Sequence, residues 1–146
     1  MILECPDETA LRDAGARIAR LLQAGDVIAL HGELGAGKTT FSRGLIAEYS
    51  GTMDVPSPTY TLVQLYDCGP LPIWHFDLYR LKSPDELVEL GWDETQDGIA
   101  LIEWPDQAGD HLPAWRLDVT IEILGEGRRV TLEPHGEGWQ RRLHGF

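Results

Sequence analysis

Between the apolar run Val27-Ile28-Ala29-Leu30 and a helical pattern beginning near Phe41 lies the stretch His31-Gly32-Glu33-Leu34-Gly35-Ala36-Gly37-Lys38-Thr39-Thr40. Residues 32–39 match G-x-x-x-x-G-K-[ST], the motif of a phosphate-binding loop, in the strand, loop and helix context that the motif requires. Its glycines let backbone N–H groups approach phosphate oxygens, and the helix that follows presents the positive end of its dipole to the same anion. The stretch therefore predicts a nucleoside triphosphate site.

Two side chains of this loop carry most of its chemistry. Lys38, one of only two lysines in the chain, can reach the β- and γ-phosphates, and the Thr39 hydroxyl can ligate Mg²⁺. A glycine-rich turn that merely precedes a helix is a weak alternative, because sequence and context both fit the motif. We predict that Lys38 is catalytic and that the motif residues Gly32, Gly35, Gly37, Lys38 and Thr39 bind the nucleotide.

Composition limits the class of protein. A chain of 146 residues, 42% of them hydrophobic, has the size and character of one globular domain, so residues 1–146 are taken as a single phosphate-loop domain. No run approaches the roughly 18 apolar residues of a membrane span, and the first residues lack the basic start of a signal peptide. Two cysteines outside any C-x-x-C pair indicate reduced thiols. We therefore expect a cytoplasmic protein with no membrane partner.

The net charge of −12 argues against broad binding of nucleic acid, because non-specific affinity for DNA or RNA comes mainly from Lys and Arg on phosphates. DNA binding is therefore not expected. One local exception is the tail Trp139-Gln140-Arg141-Arg142-Leu143-His144, which interleaves basic and aromatic residues. We interpret this tail as a solvated end that packs Trp139 and Leu143.

Periodicity along the chain predicts an α/β fold. Residues 27–30 and 99–102 are fully apolar, as expected for buried strands of a parallel sheet. The predicted strands are 2–4, 27–30, 60–66, 73–79, 99–102, 117–123 and 129–132, and the predicted helices are 7–24, 39–48 and 83–91. We expect a P-loop NTPase-like domain whose mixed central sheet combines a parallel core with antiparallel strands, with helices on both faces.

Phosphoryl transfer needs a second carboxylate, because Mg²⁺ is held from a second side by an acid at the end of another strand. The apolar strand 99–102 leads directly into Glu103, which we predict to be catalytic and a Mg²⁺ ligand. The alternative is a surface glutamate at a strand end. Trp104 beside it either contacts the nucleotide or belongs to the core or a lid.

Alternation along residues 74–79 puts His75, Asp77 and Tyr79 on one face of a strand. Asp77 is a candidate to position water or a Mg²⁺-bound group, although its spacing alone favours a paired surface carboxylate. His75 and Asp77 supply two metal ligands without a third, which is weak support for a transition-metal site.

The segment Val55-Pro56-Ser57-Pro58-Thr59 is not regular structure, because two prolines flank one residue. Its distance after the phosphate-loop helix suits a switch loop that senses the γ-phosphate. A rigid turn is an equal alternative.

Other nucleotide-binding classes fit less well. A GTPase is supported by D-x-x-G at residues 106–109, but its guanine-reading N-K-x-D motif is impossible because the chain contains no Asn. A small-molecule kinase usually carries an arginine-bearing lid, and no lid-like insertion lies between Lys38 and Glu103. A small-molecule kinase and a non-catalytic nucleotide-sensing module stay as alternatives.

Four blocks of the sequence together resemble the bacterial TsaE (YjeE) family. They are the phosphate loop at 31–40, Pro56-Ser57-Pro58-Thr59-Tyr60-Thr61-Leu62-Val63, His75-Phe76-Asp77-Leu78-Tyr79-Arg80-Leu81 and Ile102-Glu103-Trp104-Pro105. All four occur in the family's order within a chain of the family's size. The last three are the specific ones, because phosphate loops are shared widely.

The resemblance implies an ATPase, with ATP and Mg²⁺ as cofactors, that is required for the tRNA modification threonylcarbamoyladenosine. It implies that the protein acts on the TsaD–TsaB transferase pair, with ATP turnover resetting that complex between catalytic cycles. The protein would then meet tRNA only indirectly, through this complex, and the acidic composition fits that arrangement.

Site residues are implied by matching positions. Residues 32–40 would bind phosphates, while Thr39 and Glu103 would hold Mg²⁺. Asp77 and Trp104 are the matching functional positions of the later blocks, and Thr59 lies in the switch-like loop. Thr9 matches a family threonine near the nucleotide, and a helix cap is an equal alternative for it.

Overall fold

The computed structural model describes residues 1–51, 62–67 and 69–146. Its strands are β1 (Ile2–Cys5), β2 (Val27–His31), β3 (Val63–Tyr66), β4 (Ile73–Asp77), β5 (Ile99–Glu103), β6 (Arg116–Leu124) and β7 (Gly127–His135). They form one seven-stranded sheet in the order β1-β7-β6-β2-β5-β4-β3. The central strands β6, β2, β5 and β4 are parallel, and β3, β7 and β1 are added antiparallel. The predicted mixed sheet is confirmed.

Helices cover both faces of this sheet. Helices α1 (Glu8–Ala19), α2 (Lys38–Ser50) and α4 (Glu137–Leu143) bury apolar side chains against one face, where the larger core includes Ile18, Phe41 and Leu45. A smaller core on the other face packs helix α3 (Glu86–Glu89) and the 3-10 helices Trp92–Asp97 and Pro105–His111 against β2, β5 and β4. Within the described ranges, no helix is long and apolar enough to span a membrane.

Two glycines bring α1 and α2 into close contact. An added Cβ at Gly44 would overlap the Arg12 carbonyl oxygen, and one at Gly15 would overlap the Phe41 carbonyl oxygen. No side chain fits between backbones packed so closely. Glycine at these two positions therefore allows the backbones of α1 and α2 to come into direct contact. The start of α1 is thereby fixed relative to the phosphate-loop helix.

Helix α1 is shorter than the predicted helix 7–24, because the backbone N–H groups of residues 21–23 do not continue the α-helical hydrogen bonds. Leu21 and Leu22 N–H groups bond three residues back, and the Gln23 N–H donates to Asp26 Oδ2 at 2.6 Å instead of to a helical carbonyl. The same carboxylate receives a two-pronged bond from Arg142, at 2.7 and 3.0 Å. Asp26 thus ends α1 and fastens the C-terminal helix to the start of β2.

The predicted helix 83–91 is also reduced. Its α-helical part is only α3, and the N–H groups of Glu86, Leu87, Leu90 and Gly91 bond to carbonyls three residues back, the tighter 3-10 pattern. Gly91, at φ 90°, then redirects the chain into the helix Trp92–Asp97, which the sequence pattern does not predict.

The C-terminal tail packs as predicted and also forms α4. Trp139 and Leu143 are buried, and the Arg142 guanidinium stacks 3.9 Å from the centre of the Trp139 ring. Arg142 is therefore committed to Asp26 and Trp139 and is not presented to a polyanion, whereas Arg141 stays exposed.

Candidate functional site

The phosphate loop leaves the end of β2 in the centre of the sheet and enters α2 directly. Gly32, Gly35 and Gly37 have φ angles of 154°, 81° and 111°, which residues with a Cβ rarely adopt. A Cβ at Gly32 would also lie 2.8 Å from Ile121 O of β6. Gly37 caps α2 without a side-chain hydrogen bond, so the first N–H groups of the helix are left to bind an anion.

Lys38 is the first residue of α2 and is 6% exposed. Its Nζ donates to Gly32 O at 2.7 Å and lies 3.6 Å from the centre of the Trp104 ring. Burial lowers the pKa of this amine, and the carboxylates Glu103 and Asp77 oppose that shift by favouring the charged form. The ammonium is thus enclosed by a carbonyl, an aromatic face and two acids.

The two acids come from neighbouring parallel strands. Asp77 ends β4, Glu103 ends β5, and the two are register partners with 7% and 4% exposure. The expectation from spacing that Asp77 is a surface carboxylate is wrong, since its side chain is buried and lines a cavity with Lys38 and Trp104. The surface alternative for Glu103 is wrong for the same reason.

His75 is the residue that sequence reasoning undervalued. It lies two positions before Asp77, is fully buried, and its Nε2 is 2.8 Å from Glu103 Oε2. The imidazole contacts the Glu103 carboxylate of the neighbouring strand, β5. We therefore interpret His75 by this contact and not as half of a metal-binding pair with Asp77. Alternation along the strand already places His75 on the same face as Asp77. The sequence pattern therefore carries a signal that His75 belongs to the site.

Trp104 follows Glu103 in the left-handed conformation, with φ 57° and ψ 54°. A residue with a side chain adopts this conformation at a cost of about 1–2 kcal/mol. The turn sets the indole against Lys38 on one side and 5.0 Å from the Tyr79 ring on the other. Trp104 therefore closes the cavity beside Glu103, as a contact residue or a lid would.

These groups surround one cavity of about 310 Å³. The structure brings together there most of the residues that the sequence singled out: Leu34, Gly35, Gly37, Lys38, Thr39, Thr40, Asp77, Glu103 and Trp104. Such a volume lies at the lower end of the range for small-molecule sites. Thr59 lies outside the described residues.

A second cavity of about 240 Å³ lies on the other side of the loop, shared through Gly35, Gly37 and Thr40. Asp7, Glu8 and residues 126–128 form its outer wall. Thr9 is exposed next to this wall, and the helix cap is Asp7, whose Oδ1 accepts from Ala10 N at 2.8 Å. The alternative role of Thr9 as a cap is therefore wrong.

Arg128 of β7 is a further residue that the sequence did not single out. Its Nε donates to Ala36 O at 2.7 Å, across 92 positions of sequence, and its Nη2 lies 3.4 Å from Gly35 O. No local pattern marks such a contact, because it depends on how β7 pairs with β6.

Another cavity, of about 690 Å³, lies at the opposite end of β2 beside Asp26, Trp115 and Arg142. It contains none of the predicted site residues. The smaller cavity at the phosphate loop is therefore the candidate functional site.

Comparison with known proteins shows the family of this chain. The profile of the family described as "Threonylcarbamoyl adenosine biosynthesis protein TsaE" matches residues 5–131. The chain belongs to the TsaE family. It is 39% identical over 132 residues to the tRNA threonylcarbamoyladenosine biosynthesis protein TsaE of Rickettsia felis, covering 89% of this chain and 76% of that protein. The protein of the same name from Bacillus subtilis is 39% identical over 126 residues, covering 85% of this chain and 77% of that protein.

A solved structure shares the fold of this chain. The crystal structure of Bacillus subtilis YdiB superposes with a TM-score of 0.85 at 28% identity, covering 99% of this chain and 92% of that one. The fold is therefore P-loop NTPase-like, as predicted. Membership of the TsaE family places this protein in the biosynthesis of threonylcarbamoyladenosine in tRNA.

Proposed function

We propose that this TsaE-family protein is a Mg²⁺-dependent ATPase that acts on the TsaD–TsaB transferase pair during threonylcarbamoyladenosine modification of tRNA. The observation that carries the proposal is the convergence of Lys38, Asp77 and Glu103 on one cavity at the phosphate loop. A phosphate loop alone binds nucleotide, whereas hydrolysis also needs acids placed to hold metal and orient the nucleophile. Here both acids come from strands on the same side of the loop.

The residues present fit a magnesium nucleotide. The Thr39 hydroxyl and the Glu103 carboxylate line the same cavity and are oxygen donors of the kind that Mg²⁺ prefers, and we assign them as its protein ligands. Held there, Mg²⁺ would supply positive charge to offset the negative charge of the phosphates. His75 holds Glu103 through its 2.8 Å contact, and we assign to Asp77 the orientation of water.

We infer that Lys38 binds phosphate. Its ammonium now donates to Gly32 O, a neutral acceptor, and a phosphate oxygen would be a stronger partner because both groups are charged. The Trp104 ring over Nζ excludes water from that side. Lys38 would therefore exchange Gly32 O for the triphosphate when ATP enters.

A partner-gated ATPase is supported by the surface around the cavity. Leu34, at the tip of the loop, is 69% exposed, and Tyr79, packed on Trp104, is 50% exposed. Apolar residues at the mouth of a charged site suit a protein partner better than water. With a net charge of −12, direct binding of tRNA is disfavoured, so tRNA would be reached through the transferase pair, in the cytoplasm.

Steady-state ATP hydrolysis by the purified protein, alone and with the TsaD–TsaB pair, tests the proposal. We expect slow turnover alone, a rise with the pair, and loss of at least about 100-fold in turnover in Lys38→Ala. The control is Lys82→Ala, which removes the only other lysine, an exposed one, and should behave as wild type.

Other outcomes separate the alternatives. Fast turnover that ignores the pair would favour a self-sufficient phosphotransferase such as a small-molecule kinase. Tight nucleotide binding without turnover under any condition would favour a nucleotide-sensing module. Turnover that persists in Lys38→Ala would overturn the site itself.

A further inference from the structure

The hairpin of β6 and β7 extends past the end of β2 and forms a wall beside the phosphate loop. The last residue of β2, His31, pairs with Thr120, and β6 continues to Leu124. Those four further residues span about 13 Å at roughly 3.3 Å each. β7 then returns from the turn, so that its second residue, Arg128, stands beside the loop.

Arg128 uses its guanidinium to hold backbone carbonyls. Nε donates to Ala36 O at 2.7 Å, Nη2 to Gly35 O at 3.4 Å, and Nη1 to Gly127 O of its own strand at 2.8 Å. Two consecutive peptide groups of the phosphate loop therefore point their carbonyls at one side chain. A planar fork of this kind restrains both peptides, as a single ammonium would not.

The direction of these carbonyls decides the direction of the amides. In a trans peptide the C=O and the N–H point to opposite sides, so the Gly37 N–H points away from Arg128. The Ala36 N–H already donates to Glu33 O at 3.0 Å. The Gly37 N–H is thus the donor of this pair that the loop can offer to an anion.

The peptide group between Ala36 and Gly37 needs a restraint because one of its two residues is glycine. Glycine accepts both signs of φ with little preference, so rotation of the Ala36–Gly37 peptide would turn a carbonyl toward the phosphates at little conformational cost. On the other side, an added Cβ at Gly37 would lie 2.5 Å from Leu11 Cδ2. The loop is held between α1 and Arg128.

We propose that Arg128 is a positioning residue of the phosphate site, which keeps the Gly37 N–H directed at the bound anion. The proposal rests on the proposed function in one respect, namely that the anion is the phosphate chain of a nucleotide. Since the Gly37 N–H would contact phosphate both in the ground state and during transfer, its loss raises KM and leaves kcat nearly unchanged.

The test compares Arg128→Met, which keeps the apolar stem and removes all donors, with Arg129→Met. Arg129 is the next residue of β7 and faces the other side of the sheet. Arg129→Met therefore removes one positive charge, as Arg128→Met does, but from the opposite face. The measurements are ADP affinity by equilibrium titration, KM and kcat for ATP, and the melting temperature without nucleotide.

We expect Arg128→Met to raise the Kd for ADP and the KM for ATP about 10- to 100-fold, with kcat within a few-fold of wild type. Arg128→Lys should recover part of the loss, because lysine can reach one carbonyl, and Arg129→Met should match wild type. A lower melting temperature with unchanged Kd and KM would overturn the proposal, as would an equal effect of Arg129→Met. If the wild-type protein binds neither ADP nor ATP, the proposed function falls, and the role of Arg128 with it.

Discussion

His75 Nε2 lies 2.8 Å from Glu103 Oε2, and both side chains are buried beneath the phosphate loop. The contact joins two adjacent parallel strands, and the register partner of Glu103 is Asp77, two residues after His75 on the same face of β4. A carboxylate restrained in this way presents a fixed oxygen to its site, as the hydrogen-bonded ligands of metal centres do. His75 therefore decides how Glu103 is presented to the cavity.

Replacing His75 tests that relationship. We expect His75→Ala to raise the Mg²⁺ concentration for half-maximal ATP turnover about 10- to 100-fold, the usual loss when a partner of a metal ligand is removed. His75→Gln, which keeps a donor, should recover part of it. The exposed His144 gives the control variant His144→Ala. Unchanged Mg²⁺ dependence in His75→Ala would mean that Glu103 needs no positioning or holds no metal.

Trp104 should report nucleotide binding. Its ring lies 3.6 Å from Lys38 Nζ, and that ammonium is expected to turn toward the phosphates when ATP binds, which changes the surroundings of the indole. A fluorescence titration with Mg·ATP should give a signal that Trp104→Phe loses. Trp115→Phe, at a residue 80% exposed beside the distant cavity, should keep it. A full signal in Trp104→Phe would place the indole outside the binding event.

Asp118 makes the fold sensitive to acid. Burial, the largest single influence, would raise the pKa of its carboxyl, but hydrogen bonds from Arg116 and His31, together with charge attraction to the same two residues, lower the pKa overall. Because the folded pKa lies below the unfolded value of about 3.9, ionised Asp118 stabilises the fold fully above that value. This stabilisation is lost as the pH falls through the folded pKa.

Asp118→Asn measures this stabilisation. The substitution should lower the free energy of unfolding by about 1–3 kcal/mol at pH 7. In urea denaturation at several pH values, the difference from wild type should narrow as the pH falls below about 4. The exposed Asp110 provides the control Asp110→Asn. A difference that stays constant with pH would mean that the carboxylate charge contributes nothing.

Gly44 tests the packing of α1 on α2. In an open helix Gly→Ala stabilises by about 1 kcal/mol, but a Cβ here would overlap the Arg12 carbonyl oxygen, so the helices must separate. We expect Gly44→Ala to destabilise the protein by about 3 kcal/mol, measured by urea unfolding. Gly145→Ala, where a Cβ meets nothing within 4 Å, should be close to neutral. A stabilised Gly44→Ala would show that the two helices separate without cost.

The parts of this molecule that the sequence predicts well are those with local causes. The phosphate loop is one short run, and the apolar strands around Ile28 and Leu101 are recognisable because they are buried on both faces. Residue types and spacing alone are therefore enough to propose residues 32–40 and Glu103 as a site. Their assignment to ATP and Mg²⁺ stays a prediction.

The parts that the sequence does not predict depend on what packs over an element. Alternation predicts on which face of the strand Asp77 lies but not whether other residues cover it. Spacing therefore favours a surface carboxylate, whereas in the fold Asp77 is buried. The end of α1 depends on Asp26 and Arg142, separated by 116 positions. The elements 83–97 are short turns whose bonds run three residues back, and a helical pattern does not distinguish these from a regular helix.

The contact with Arg128 makes the phosphate loop depend on a residue that is synthesised much later than the loop itself. The loop leaves the ribosome early, and the arginine that braces it follows 92 positions after Ala36, on a strand that must first pair with β6. We expect the nascent chain to carry the complete loop sequence for most of its elongation with weakened affinity for nucleotide. Full affinity for nucleotide would then arise only once β7 has paired with β6.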